Sequence, residues 1–386
     1  KLVSLLSSLN LEDVKQGMML LEALYGSIEE ICTFFNVDYN HKLPPLKQFL
    51  GSQDVETEIA TYQYYWLLGY DYTQYPNKYK LLSELRITGV SEQFQLPDTM
   101  RTMDRFETIY WQNNPVELPE WIFSWKNLQK MEINSTPEVP EGTSFEQSKI
   151  ATINISDVDM VPDWIWKLPK LKLLDATGAK LMYFQPKTVS NVETLLLGFS
   201  SRSRYSRPNS SNFIFNNLPA VKVVKALNLQ EWTATLPSLE TLTLNGLEVF
   251  APTVKSTALQ NLTINLCKYS ETQVDLSTCV ALKSLNIYLP KDFGKDQALY
   301  PIQGMDSGLP IHLESLTLDV PRDDFSIPNL HRLDSLTTLS LTKCANPENL
   351  GDCAGWRNLK TVSLNQVKEV TKEWVQSVPL LEKLEV

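Results

Sequence analysis

The side chains best suited to chemistry are few in this chain, and their spacing does not assemble them. Its three histidines, His41, His312 and His331, include no HExxH pattern, which would set two imidazoles on one helix face to hold zinc with the glutamate as general base. Cys267 and Cys279 stand twelve residues apart and Cys344 and Cys353 nine apart, so neither pair has metal-finger spacing. No GxxxxGKS/T or GxGxxG stretch is present to cradle a nucleotide phosphate. Carboxylates are numerous, yet no pair is singled out as an acid and a base. A triad gathered from distant residues leaves no spacing signature, so that route stays open. The sequence therefore predicts no catalytic residue, no metal site and no cofactor. One cluster suits binding: FSSRSRYSRPNSSNF at 199–213 sets Arg202, Arg204 and Arg207 around Tyr205 in an otherwise acidic molecule. Guanidinium groups fit carboxylate or phosphate partners, and a solvated loop is the competing description.

The elements that must position any site are announced by a phrase. An apolar residue, two free positions, an apolar residue, one free position and a third apolar residue recur, as in Leu336, Leu339 and Leu341 of LTTLSL. The phrase fits with Leu82, Phe106, Leu128, Ile150, Leu171, Val192, Val224, Leu239, Leu259, Leu282, Leu313, Leu336, Leu359 and Leu381 as first positions. Val221 competes with Val224 as the opening of its unit. A period of about 23 residues with one short strand per unit predicts a solenoid. Its domain spans 81–386 in about 14 irregular repeats, with insertions near 199–213 and 289–310. The second insertion mixes charge with Phe293, Leu299, Tyr300, Ile302 and Met305, and long loops on a rigid scaffold often carry recognition. Return segments LPEWIFSW, VPDWIWKLP and KEWVQSVP predict Ile122, Ile165 and Val375 turned inward, with Trp121, Trp164 and Trp374 covering the outer edge.

Residues 1–80 lack the phrase. Asn10 and Asp13 precede Val14, Met18, Leu21 and Leu24 at helical spacing, which predicts a capped helix. Ser27 to Phe34 and Glu56 to Leu68 predict two further helices, separated by the break at His41 to Pro45. This region is expected to cap the solenoid or to act as an adaptor, and its run of tyrosines suits either role.

The net charge of -10 argues against general nucleic-acid or anionic-membrane binding, since both need positive surface. No run of eighteen apolar residues exists to cross a membrane as a helix. Five cysteines, an odd number without a terminal cluster, favour reduced thiols and a cytoplasmic rather than a secreted setting. In that setting the Asn-x-Ser/Thr matches at Asn134, Asn154, Asn209 and Asn261 are chance. The start at Lys1 suggests a removed leader or tag, and the phrase unfinished at Val386 suggests that repeats, a cap or another domain follow.

The phrase resembles that of the leucine-rich repeat family over about four-fifths of the chain. LPEWIFSWKNLQKMEI at 118–133 is similar to the common bacterial and intracellular subtype, and LNLEDVKQGMMLLEAL at 9–24 to helical leaders of some bacterial members. The resemblance implies an α/β solenoid, an arc with a parallel concave sheet and an N-terminal helical cap. It also implies Asn or Cys at the ninth position of each unit. Only Asn114, Cys267 and Cys344 comply, whereas Thr136, Val158, Leu247 and Val367 do not, so a regular asparagine ladder is absent.

Family members mostly bind proteins through the concave sheet, where the third and fifth positions of the phrase point away from the core. In the late repeats these are Thr241, Thr243, Asn261, Thr263, Ser284, Asn286, Ser315, Thr317, Thr338, Ser340, Thr361 and Ser363. All are uncharged in a chain that is 21% charged, which marks them as a candidate face. A solvated sheet that accumulates threonine for its strand preference is the alternative. The early repeats place Glu84, Arg86, Tyr110, Lys130, Glu132 and Asp175 there instead. The expected function is a non-enzymatic protein-binding module contacting its partner through these residues and through Arg202, Arg204, Tyr205, Arg207 and Tyr300. The recognition portion of a larger effector or ligase is one alternative. Carbohydrate binding is another, for which aromatic platforms would be expected and the late repeats lack them.

Overall fold

A computed structural model describes residues 1, 2, 5, 11–24, 84–88, 101, 106–112, 117–182, 184–199, 215–228, 236–247, 256–266, 276, 278–289, 309–322, 332–344, 356–366 and 372–385. The chain divides into two compact units, Lys1–Asp175 and Ala176–Val386.

In the first unit, helix α1 (Leu11–Leu24) forms where the Asn10 and Asp13 pattern predicts it, although Leu24 is largely exposed rather than an anchor. The remaining helices expected within 1–80 lie outside the described residues. Strands β1 (Glu84–Thr88), β2 (Thr108–Gln112), β3 (Lys130–Ile133) and β4 (Thr152–Ser156) pair parallel in chain order. The boundary between the units falls within β5 (Leu173–Leu181). The second unit carries β6 (Thr194–Phe199), β7 (Val223–Leu227), β8 (Thr241–Leu247), β9 (Asn261–Leu266) and β10 (Ser284–Tyr288). It continues through β11 (Ser315–Arg322), β12 (Thr338–Cys344), β13 (Thr361–Asn365) and β14 (Lys383–Glu385), all parallel and paired in sequence from β6 onward.

Each strand begins two residues after the first apolar position of its phrase. The N–H of that first residue donates to the carbonyl three residues earlier, as Leu239 to Leu236, Leu282 to Cys279, Leu336 to Leu333 and Leu359 to Trp356. This turn swings the first residue inward, and strand alternation then buries the fourth and sixth positions with it. Leu259, Leu262 and Ile264 are accordingly 0% exposed, as are Leu336, Leu339 and Leu341. The carbonyl of the second position ties successive units together by accepting two N–H groups from the next unit. Gln260 accepts from Lys283 and Ser284, and Lys283 from Glu314 and Ser315.

The structure corrects the phase of one unit. Val221, not Val224, opens the unit of β7: its N–H donates to Leu218, and Val223 pairs with Thr194 and Thr241. Val224 and Ala226 therefore occupy the buried fourth and sixth places. Left-handed backbone recurs two residues beyond the sixth place, at Asp157, Asn228, Gly246 and Gln366 (φ 53, 58, 74 and 55). A Cβ on Gly246 would also stand 2.8 Å from the Asn228 Oδ1, so both conformation and space select glycine there.

The Pro-led returns of the first unit fold as 3-10 turns at Glu120–Ser124 and Asp163–Lys167. Ile122 and Ile165 are fully buried, as their pattern predicts. Trp164 is buried too, donating from Nε1 to the Pro137 carbonyl at 3.0 Å and packing on Phe123 and Phe145, whereas Trp121 is half-buried. The third return forms the short helix α2 (Lys372–Gln376). It buries Trp374 and leaves Val375 only half-buried, the reverse of the expected order.

Candidate functional site

The side chains that alternate with the buried rungs of the second unit make up one open sheet face. Register aligns them in rows across strands. The third positions run Val223, Thr241, Asn261, Ser284, Ser315, Thr338, Thr361 and Lys383. The fifth positions run Lys225, Thr243, Thr263, Asn286, Thr317, Ser340, Ser363 and Glu385. All twelve candidate residues thus lie together, half-buried except for the exposed Asn261. Two hydrogen bonds link neighbours within the rows: Asn261 Nδ2 donates to Thr241 Oγ1 at 3.3 Å, and Asn286 Nδ2 to Thr263 Oγ1 at 3.2 Å. Charge returns where the uncharged block stops, at Lys225 on one side and at Lys383 and Glu385 on the other.

The strands extend one row further than the phrase. Seventh positions Asn245, Asn265, Tyr288, Asp319, Thr342 and Asn365 continue the same register and the same face. Tyr288 is 37% exposed in the middle of this row. Tyr288 corrects the expectation that the late repeats lack an aromatic side chain on this face, because the strands carry the face one row beyond the third and fifth positions. Asp319 is a second correction, placing one carboxylate beside Tyr288 on a face expected to be uncharged. The sequence did contain the signal: in every phrase the seventh residue shares the parity of the third and fifth.

The open face of the first unit has another character. Lys130 forms an ion pair with Glu132, whose carboxylate also accepts from Asn154 Nδ2 at 3.4 Å, and Arg86 and Tyr110 share their register. On its other side, an open cleft of about 340 Å³ is lined by Arg101, Glu120, Trp121, Phe123 and Glu146 among others. None of the predicted site residues lines it.

Arg202, Arg204, Tyr205, Arg207 and Tyr300 lie outside the described residues, as does most of both insertions. His312 is exposed and Cys279 is buried, while His41 and His331 lie outside the described residues. Among the described residues no group of three or more His, Cys, Asp or Glu is placed to hold a metal ion, and no helix is long and apolar enough to cross a membrane.

No known protein family matches the chain, and no curated protein does. Solved structures do. An internalin from Listeria monocytogenes matches at 15% identity over 80% of this chain and 88% of its own, with a TM-score of 0.38. The protein of the TLR13–ssRNA13 complex matches at 15% identity over 80% of this chain and 52% of its own, with a TM-score of 0.47. A leucine-rich repeat protein from Leptospira interrogans matches at 16% identity over 80% and 91%, with a TM-score of 0.27. The chain thus bears a distant, low-identity resemblance to several leucine-rich repeat proteins.

Proposed function

We propose that the chain is a non-enzymatic protein-binding module whose partner docks on the open sheet face of the second unit. The observation that carries this reading is the uncharged block of twelve hydroxyl and amide side chains, aligned in two rows on a parallel sheet. Parallel sheets are ordinarily covered on both faces, so a face left open on one is available surface held on a rigid frame. Covering hydroxyls and amides costs far less than covering unpaired charges, and each can exchange a water for a partner's hydrogen bond. Tyr288 supplies the kind of aromatic side chain on which interfaces concentrate their energy. In this reading the insertions contribute loop contacts through Arg202, Arg204, Tyr205, Arg207 and Tyr300. The module can equally be the recognition portion of a larger effector or ligase, since the same face would serve it.

Affinity capture with the intact chain and with a Thr263→Glu/Thr317→Glu/Ser340→Glu variant tests the reading. The triple variant is expected to lose the captured partner while keeping its circular dichroism. Undiminished recovery would remove the face from the proposal, and Arg202, Arg204 and Arg207 changed to Ser would then show whether the loop acts alone. Tyr288 beside Asn265, Asn286 and Asp319 gives one specific reason to keep the carbohydrate reading, because sugars stack on aromatic rings and bond to amides and carboxylates. Silence on a glycan array removes it.

A further inference from the structure

One return motif of the first unit meets two different fates. In DWIWK at 163–167 the first tryptophan, Trp164, is 4% exposed. Its Nε1 donates to the Pro137 carbonyl, and its ring packs on Phe123 and Phe145. Trp121 holds the same place in EWIFS at 120–124, yet it stays half-buried and lines the open cleft of about 340 Å³. Phe123, buried against Phe145 and Trp164, adds a second ring to the lining. Polar groups of both signs surround these rings. They are the carboxyls of Glu120 and Glu146, the Gln147 amide, the hydroxyls of Ser124 and Ser144, and the Arg101 guanidinium, all on exposed residues. Two hydrogen bonds fix the frame: Trp125 Nε1 donates to the Arg101 carbonyl at 3.3 Å, and Ser124 Oγ donates to the Trp121 carbonyl at 2.6 Å.

We propose that this cleft binds a neutral carbohydrate, with one sugar ring lying against Trp121. Its volume falls at the small end of the ~300–1,000 Å³ range of ligand clefts, room for a short saccharide. Charge then selects among ligands of that size. Two carboxylates disfavour an anion, and the Arg101 guanidinium in the same lining disfavours a cation. A sugar carries no charge, and each of its hydroxyls both donates and accepts. The Glu120 and Glu146 carboxylates accept from such hydroxyls, and Arg101 donates to them. Gln147 and Ser144 do both, while Ser124, its proton committed to the Trp121 carbonyl, is left to accept. The ring of a sugar also has a face of C–H groups, which suits the negative face of an indole. An aromatic wall with a wet rim therefore matches both halves of a sugar surface. The site belongs to the first unit and does not depend on the protein-binding face proposed for the second.

An array of neutral oligosaccharides probed with the 386-residue chain is expected to show binding, and calorimetric titration with the sugar retained gives its affinity. Trp121→Ala is expected to weaken that affinity by roughly ten-fold or more. Glu146→Ala and Gln147→Ala change exposed side chains and leave the thermal unfolding curve in place, so they test the site without risk to the fold. Each is expected to weaken binding by about five-fold. Added salt leaves the affinity unchanged, because no ion pair forms with a neutral ligand. Silence across the array overturns the proposal. So does binding that Trp121→Ala and Glu146→Ala leave intact, or that salt weakens, which marks a charged ligand. Binding lost with Tyr288→Ala overturns it as well, since the sugar would then sit on the second unit.

Discussion

Leu262 and Lys283, from successive repeats, have very different weights in the stability of the fold. Leu262 is fully buried on β9, so Leu262→Ala removes transfer energy and leaves a cavity, costing about 2–5 kcal/mol. Lys283 pairs with Glu314 at 3.0 Å, but both side chains are about half exposed, so Lys283→Ala costs less than about 1 kcal/mol. Denaturant titration separates the two by well over its error. Backbone conformation sets a third magnitude. Gly246→Ala is expected to destabilise by at least about 1–2 kcal/mol, from its left-handed φ together with the close Asn228 side chain. Gln366→Gly, at the equivalent left-handed place, is expected to raise the melting temperature, because glycine relieves the strain that glutamine bears there. These left-handed places were not legible in the sequence. Asp157, Asn228, Gly246 and Gln366 share a backbone requirement but no side-chain type, and no apolar spacing reports it.

Strands were legible wherever the phrase was clean, because buried positions at a turn followed by period-two alternation leave a pattern no helix reproduces. The unit of β7 was not. VKVVKAL offers apolar residues in both phases, and the long insertion ahead of it removes the spacing that would decide. Ala226→Asp discriminates between them. The Val224 phase would put Ala226 on the open face and make the substitution harmless. The structure buries Ala226 completely, so thermal unfolding should show a loss of at least about 3 kcal/mol, the cost of an unpaired buried charge. Val223→Thr, on the open face, should change stability by less than about 1 kcal/mol. The seventh row was missed for a different reason: the phrase ends at its sixth residue, whereas every strand from β8 to β13 runs past it. Tyr288 and Asp319 consequently entered the candidate face only with the register. Tyr288→Ala is expected to weaken partner binding by about 2 kcal/mol, roughly thirty-fold, with little change in stability. Calorimetric titration against the captured partner measures it.

At the scale of the molecule, the paired strands within each unit are tied to their neighbours in the sequence, so stability is distributed along a unit rather than pooled in one core. In the proposed function recognition is distributed in the same way: no single repeat holds the face, but six successive strands hold two uncharged rows and a third row with its tyrosine. That arrangement was half visible in the sequence, as a run of threonine, serine and asparagine at alternate places. Adjacency across strands, which turns the run into a surface, comes from the pairing register alone. The most direct test places a photo-activatable phenylalanine analogue at Thr317, in the middle of the face, and at exposed Lys126 of the first unit as a control. Light is expected to fix the partner to the Thr317 position and not to Lys126. Labelling at Lys126 with none at Thr317 would contradict it.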